Sequence, residues 1–223
     1  MSSSSETDRP RVAVVTGGHA FDVPGFHALF RSIEDADCYI QHLEDFVADA
    51  GKVRGQYDVV LFYTMPAGEP PAEGEGYQGR IRSTLEELGA TSQGIFVLHH
   101  GILTYQEWPF WSELVGMDNR EIDGVHFNLE MRIRVAAPEH PVLRGMEDWD
   151  MIDESYVMAE PDEGNDIILT VDHPQSMKAI AWTRTFKQAR VFCFQSGHDN
   201  QTYVNPQFRH VIARGIQWCA GRI

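Results

Sequence analysis

Cysteine is scarce in this chain, positive charge is in deficit, and long apolar runs are missing. The 223 residues hold three widely spaced cysteines, Cys38, Cys193 and Cys219, with no Cys-x-x-Cys pair. That spacing fits neither a disulfide framework nor a thiolate zinc site, and it points to a cytoplasmic setting. Lys and Arg number 18 against 33 Asp and Glu, a formal net charge of -15. Such a charge repels phosphate backbones and anionic lipid, so neither nucleic acid nor membrane is expected as a partner. No run approaches the roughly 18 apolar residues of a spanning helix. Met1–Pro10 is Ser-rich and polar, which excludes a secretory signal there and reads as a disordered tail, 1–10. The dinucleotide fingerprint is also missing: Gly17-Gly18-His19-Ala20-Phe21-Asp22 has no third glycine, so a nicotinamide or flavin site is not expected.

What the chain does have is one core's worth of apolar residues, 43% of the total, read as a single domain over 11–223. Apolar runs without alternation occur at Arg11–Thr16, Cys38–Gln41, Tyr57–Tyr63 and Gly94–His99, separated by helical patterns at Pro24–Ile33 and Tyr77–Leu88. Strands hydrophobic on both faces and spaced by helices predict a parallel sheet covered on both sides. From His126 to Val135 the period drops to two, which predicts an antiparallel or edge strand exposed on one face. Its exposed edge offers a place for a second copy to pair. Met151–Val157, Asp166–Val171, Ala179–Thr183 and Arg190–Phe194 supply further strands, and Pro206–Cys219 a closing amphipathic helix. The expected class is therefore α/β, a three-layer, mostly parallel sheet with an antiparallel edge.

Three strand ends share one grammar. The first strand runs into Gly17-Gly18-His19, the fourth into His99-His100-Gly101, and the last into Ser196-Gly197-His198-Asp199. Ligands of open α/β sheets bind beyond the carboxyl ends of the strands, so these imidazoles are candidates for chemistry. The His99-His100 turn has the form of a nucleophile elbow, but it presents imidazole where Ser or Cys would stand. Imidazole, with an ordinary pKa of about 6.5, can serve as base, acid or metal ligand. No cysteine follows a strand into such a turn, which argues against a thiolate nucleophile.

Asp153-Glu154-Ser155-Tyr156 places Glu154 and Tyr156 on one strand face and Asp153 on the other, a carboxylate and phenol able to orient an imidazole or bond a polyol. Gly18 lets the backbone come close to a ligand, and His19 projects after it. Trp108 and Trp111 are read chiefly as core anchors, with sugar stacking as the alternative. Asp199 either contacts substrate or caps a turn. His140 and His173 precede prolines as loop punctuation, while His27, His42 and His210 fall in helical patterns.

The ordered set Gly17-Gly18-His19 with His27, Phe96-Val97-Leu98-His99-His100, Glu139-His140-Pro141-Val142, Asp153-Glu154-Ser155-Tyr156, Ala181-Trp182-Thr183-Arg184, Ser196-Gly197-His198-Asp199 and Gly215-Ile216-Gln217-Trp218 resembles the trehalose-utilisation (ThuA-like) family. The resemblance runs from Arg11 to Gly221 and departs between Trp108 and Val125. It implies a flavodoxin-like fold similar to class I glutamine amidotransferases, without their catalytic cysteine. It also implies a disaccharide or 3-keto-glycoside substrate, with a sugar oxidoreductase acting in the same catabolic sequence.

Three functions follow as expectations. In the first, His99 or His100 and His198 move protons on a keto-sugar while Glu154 orients or shares them, with Gly18, His19, Trp108, Tyr156 and Asp199 at the substrate. In the second, His19, His100, Glu154 and His198 hold a zinc, manganese or iron ion that activates water for hydrolysis. In the third, the fold binds a sugar or a partner without turnover.

Overall fold

The computed structural model describes residues 9–223. The apolar runs become β1 (Arg11–Gly17), β2 (Asp37–His42), β3 (Val59–Thr64) and β4 (Gly94–Leu98), followed by β5 (Ile122–Val135), β6 (Trp149–Met158), β7 (Asp166–Val171), β8 (Ala179–Phe186) and β9 (Ala189–Phe194). The helices are α1 (Val23–Arg31), α2 (Leu43–Ala48), α3 (Ile81–Glu86), α4 (Pro109–Val115), α5 (Asn200–Tyr203) and α6 (Pro206–Cys219). Among the described residues the strands form one sheet in the order β2-β1-β3-β4-β9-β8-β7-β5-β6. β2, β1, β3, β4 and β9 are parallel neighbours, and every pairing beyond β9 is antiparallel.

The parallel strands are apolar throughout because both of their faces are covered. On β1, Val12 and Val14 enter one core while Ala13 and Val15 enter the other; β3 and β4 divide in the same way, with Leu61 and Phe96 opposite Phe62 and Val97. The first core takes Phe26 and Leu29 of α1 with Phe208 and Ile212 of α6, and the second takes Phe46 of α2, Leu85 of α3 and Trp111 of α4. Each fully buried side chain of this size contributes about 1.5–3 kcal/mol relative to exposure. α1 and α2 pack on opposite faces because the chain leaves β1 toward β2 and returns past it to β3. The carboxyl ends of β1 and β3 thus flank a topological switch point, where such sheets bind ligands.

Several boundaries differ from the sequence reading. The helix expected over Tyr77–Leu88 is a 3-10 turn at Gln78–Arg80 followed by α3, and His42 caps α2, its Nδ1 accepting the Glu44 N–H at 3.1 Å, rather than lying within a helix. β5 is not the edge: β6 pairs along most of it, and β7 joins at Ile133–Val135. The strands at the two ends of the sheet are β2 and β6. Of the expected tail, residues 1–8 lie outside the described ones. Pro10 is buried, and its carbonyl accepts the Asp37 N–H at 3.0 Å. No helix among the described residues is long and apolar enough to cross a membrane.

Candidate functional site

β4 ends at Leu98, and His99 turns the chain with φ +52, a left-handed conformation rare outside glycine. Strain of this kind costs on the order of 1–3 kcal/mol and persists where the surroundings enforce it. Here Gly101 makes the turn feasible, since an added Cβ would lie 2.6 Å from the Phe62 carbonyl oxygen, and Trp111 Nε1 donates to the Gly101 carbonyl at 2.9 Å. Arg120, buried after α4, donates to the carbonyls of Ile102, Thr104 and Tyr105 and fixes the chain beyond the turn. His99, rather than His100, is the apex residue.

The His99 ring is fully buried, and its Nδ1 lies 2.7 Å from the Gln195 carbonyl oxygen. A carbonyl only accepts, so Nδ1 carries the proton and Nε2 faces the site. Around Nε2 stand the Tyr156 hydroxyl at 3.2 Å, His198 Nδ1 at 3.3 Å and Glu154 Oε1 at 3.4 Å. Glu154 Oε2 lies 3.0 Å from His198 Nδ1. Burial pushes the Glu154 carboxyl up, but the His99 contact and the two imidazoles outweigh it and hold the group below its ordinary value. His198 moves below its ordinary value because burial disfavours the cation more than Glu154 favours it. An ionised Glu154 accepting from a neutral His198 follows.

His198 is held by its backbone. Asp153, on the opposite strand face from Glu154, accepts the N–H groups of Gly197 at 2.7 Å, His198 at 3.0 Å and Glu154 at 2.9 Å. On the carbonyl side the Tyr63 hydroxyl bonds Gly197 at 2.9 Å and the Tyr203 hydroxyl bonds His198 at 3.1 Å, with 2.8 Å between the two hydroxyls. These contacts curl β6 back toward the end of β9, four places away in the sheet order. Sequence reasoning placed Tyr63 only as a strand residue, did not single out Tyr203, and gave Asp153 no task.

His19 and His100 form a neighbouring pair, their ring centroids 4.4 Å apart, with Tyr63 4.1 Å from His100 on its other side. Both His100 nitrogens and His19 Nδ1 are buried without a hydrogen-bond partner. Burial, with neighbouring imidazoles, pushes His100 down to about 2, so it stays neutral; the nearby Tyr63 carbonyl favours the cation but is not aligned to bond it. The His19 ring lies 6.4 Å from that of His198. The far-apart imidazoles are therefore gathered as expected.

The expected ligand set is corrected. His19, His100, Glu154 and His198 do not close one shell; the group whose ligand atoms lie within 4.8 Å of one another is His99, Glu154 and His198. Trp108 is only 3% exposed, packed against Tyr105, Phe110 and the Arg82 guanidinium, so it anchors the core instead of touching substrate. Tyr156 is buried too, its hydroxyl on His99 rather than open to a sugar. Asp199 caps α5, accepting the Gln201 N–H at 2.8 Å. Gly18 has φ +77, and a cavity of about 450 Å³ beside it is lined by His42, Tyr77 and Tyr105. Cys193 and Cys219 are buried and their thiols pushed up, which leaves neither as a nucleophile.

The sequence profile of the family described as trehalose utilisation, ThuA, matches residues 11–219. No curated protein matches the chain significantly. Among solved structures, a ThuA-like protein from Parabacteroides merdae is similar at TM-score 0.74 and 18% identity, covering 96% of this chain and 91% of that one. A GMP synthase protein from Thermoplasma acidophilum gives TM-score 0.58 at 12% identity, covering 96% and 95%. PurLQS from Thermotoga maritima gives 0.61 at 11%, covering 94% and 99%. At these identities the likeness shows the fold alone, a glutamine amidotransferase-like α/β sheet. With its profile matched over nearly all of the described residues, the chain belongs to the ThuA family.

Proposed function

We propose that the cluster is a carbohydrate-active centre that moves a proton beside the carbonyl of an oxidised disaccharide. The observation that carries this reading is the 3.0 Å contact between Glu154 Oε2 and His198 Nδ1. It leaves Nε2 as the nitrogen of His198 free to meet substrate. A hydrogen on a carbon next to a ketone is acidic: as His198 Nε2 takes it, the C–H pair becomes the new C=C bond and the carbonyl π pair moves onto oxygen. Glu154 stabilises the resulting imidazolium. Isomerisation is completed when the hydroxyl proton of the deprotonated carbon passes to the enolate oxygen and the imidazolium returns its proton to the former carbonyl carbon. Elimination is completed when the oxygen pair re-forms the carbonyl, the C=C pair shifts toward the β-carbon, and the departing β-oxygen takes the C–O pair and the imidazolium proton. Acid–base assistance of this kind contributes about 10² to 10⁴-fold. The cavity of about 450 Å³ beside Gly18, at the switch point, lies within the size range of ligand sites. The substrate class itself comes from the family's description and not from the geometry.

A metal reading is favoured by one observation. With Nδ1 turned to the Gln195 carbonyl, His99 Nε2 faces Glu154 Oε1 at 3.4 Å and His198 Nδ1 at 3.3 Å, so each of the three groups can offer a ligand atom to one ion. The carboxylate meets the first nitrogen through Oε1 and the second through Oε2, which lies 3.0 Å from His198 Nδ1. Tetrahedral zinc with bonds of roughly 2.0–2.2 Å sets its ligands about 3.3 Å apart, so the residues fit. His99 Nε2, Glu154 and His198 Nδ1 would hold the ion, and the Gln195 carbonyl would orient His99. Such an ion supplies carbonyl polarisation or an activated water.

Purified wild type, Glu154→Gln and His198→Ala should be compared on trehalose and on its 3-keto derivative, with metal analysis of each sample. The proposal expects turnover of the keto-sugar and a loss of 10² to 10⁴-fold in each variant. Unchanged turnover in both variants overturns the roles. Sugar binding without turnover by wild type leaves a binding module, and activity proportional to bound metal favours the ion.

A further inference from the structure

Opposite Glu154 the β5–β6 ladder slips. His126 pairs with Ser155 and Leu129 with Asp153, so Phe127 and Asn128 together face the single residue Glu154. This is a β-bulge, a device that re-aims a side chain and is over-represented beside active sites. Asn128 takes φ +54 to make it. Side-chain bonds hold the bulge from both sides: Gln201 Nε2 donates to Asn128 Oδ1 at 2.8 Å, and Gln175 Nε2 lies 3.0 Å from His126 Nδ1. What it displays is a phenyl ring. Phe127 is 58% exposed, with its ring edge-on to His198 at a centroid distance of 5.3 Å. Val125, two residues back on the strand, is 40% exposed and extends the apolar lip.

An exposed aromatic held at fixed geometry beside His198 has no packing role to explain it. The ring therefore stands at one side of the His198 imidazole, open to solvent. A pyranose presents hydroxyls at its rim and an apolar C–H face, and an aromatic surface covers that face while the rim stays available to polar groups. We propose that Phe127, displayed by the bulge, is the platform on which a pyranose ring of the substrate stacks, fixing the ring at His198. This inference deepens the carbohydrate reading above and rests on it. Phe127 is a specificity-determining residue and carries no proton.

The test measures Kd for trehalose, by calorimetry, and KM and kcat for 3-keto-trehalose, in wild type, Phe127→Ala, Phe127→Trp and Val204→Ala. Val204, 65% exposed and just beyond α5, is the surface control. Phe127→Ala is expected to weaken binding and raise KM about tenfold or more, the scale of losing one buried aromatic contact, with the smaller change in kcat. Phe127→Trp retains binding, and Val204→Ala matches wild type. Circular dichroism checks that each variant is folded. Wild-type affinity in Phe127→Ala, or an equal loss in Val204→Ala, overturns the platform while leaving the Glu154–His198 reading standing. Phe127-dependent binding with no turnover in wild type supports the platform and sinks the proton-transfer reading. If wild type binds no sugar at all, the platform is overturned with it.

Discussion

Three of the parallel strands, β1, β4 and β9, run on into glycine and imidazole, whereas the antiparallel β5 and β6 bring carboxylates, a phenol and a phenyl ring to the same place. The first group is buried on both faces and holds its histidines by strand-end geometry, as at the His99 apex. The second lies at the far side of the sheet and reaches the cluster only by curling, tied there by Asp153 to the Gly197 and His198 N–H groups. A rigid frame presents the bases, and a more open ribbon presents the groups that tune and cover them. The cluster exists only where the two meet.

This contrast can be broken by substitution. Phe96→Ala, in the parallel core, is expected to cost about 3–5 kcal/mol in urea unfolding, while Ile152→Ala on β6, 37% exposed, stays within about 1 kcal/mol. Comparable losses would refute the division into frame and ribbon. Asp153→Asn replaces one of the two oxygens that accept the Gly197 and His198 N–H groups with an NH2 donor and is expected to destabilise by about 1–3 kcal/mol, with keto-sugar turnover falling more than global stability accounts for. Turnover that merely tracks the folded fraction would make Asp153 structural only. Gly18→Ala forces an L side chain to φ +77, with its Cβ 2.5 Å from Pro66 N, and is expected to cost about 1–2 kcal/mol while weakening sugar binding. Unchanged stability and binding would show that the loop yields.

The smallest effect belongs to the ribbon's surface. The Val135 N–H and Arg134 hold Asp148 below its ordinary 3.8. A depressed carboxylate gives stability that is present above the unfolded value and lost as pH falls through the folded one. Asp148→Asn should therefore lose a small increment of stability at neutral pH and flatten the acid limb below pH 3.8, the two proteins converging at low pH. An unaltered acid limb would remove this pair from the account.

The parallel half was legible because its physics is local. Apolar runs such as Val59–Tyr63, punctuated by glycine and helix caps, name strands buried on both faces, and the glycine–histidine strand ends located His19, His99, His100 and His198. Glu154 and Tyr156 were legible from strand alternation. Which imidazole joined the carboxylate was not, since the answer depends on the backbone at His99 turning left-handed, and adjacent histidines carry no mark of that. Trp108 was open to a substrate role because an aromatic run offers the same letters whether it packs inward or outward. Phe127 escaped notice because its exposure comes from a one-residue slip against β6, a register property of two strands. Tyr63 and Tyr203 were hidden by burial, although their hydroxyls are what brace the His198 turn.

β9 is the seam of the sheet, parallel to β4 on one side and antiparallel to β8 on the other. Its sequence position therefore sets the order of assembly during synthesis. A ribosome that has not yet released the stretch after Phe186 can have made every other strand, yet the frame and the ribbon are still unjoined and His99 lacks its Gln195 anchor. The cluster therefore forms late and together with the joined sheet, and a nascent chain that stops before β9 would lack both.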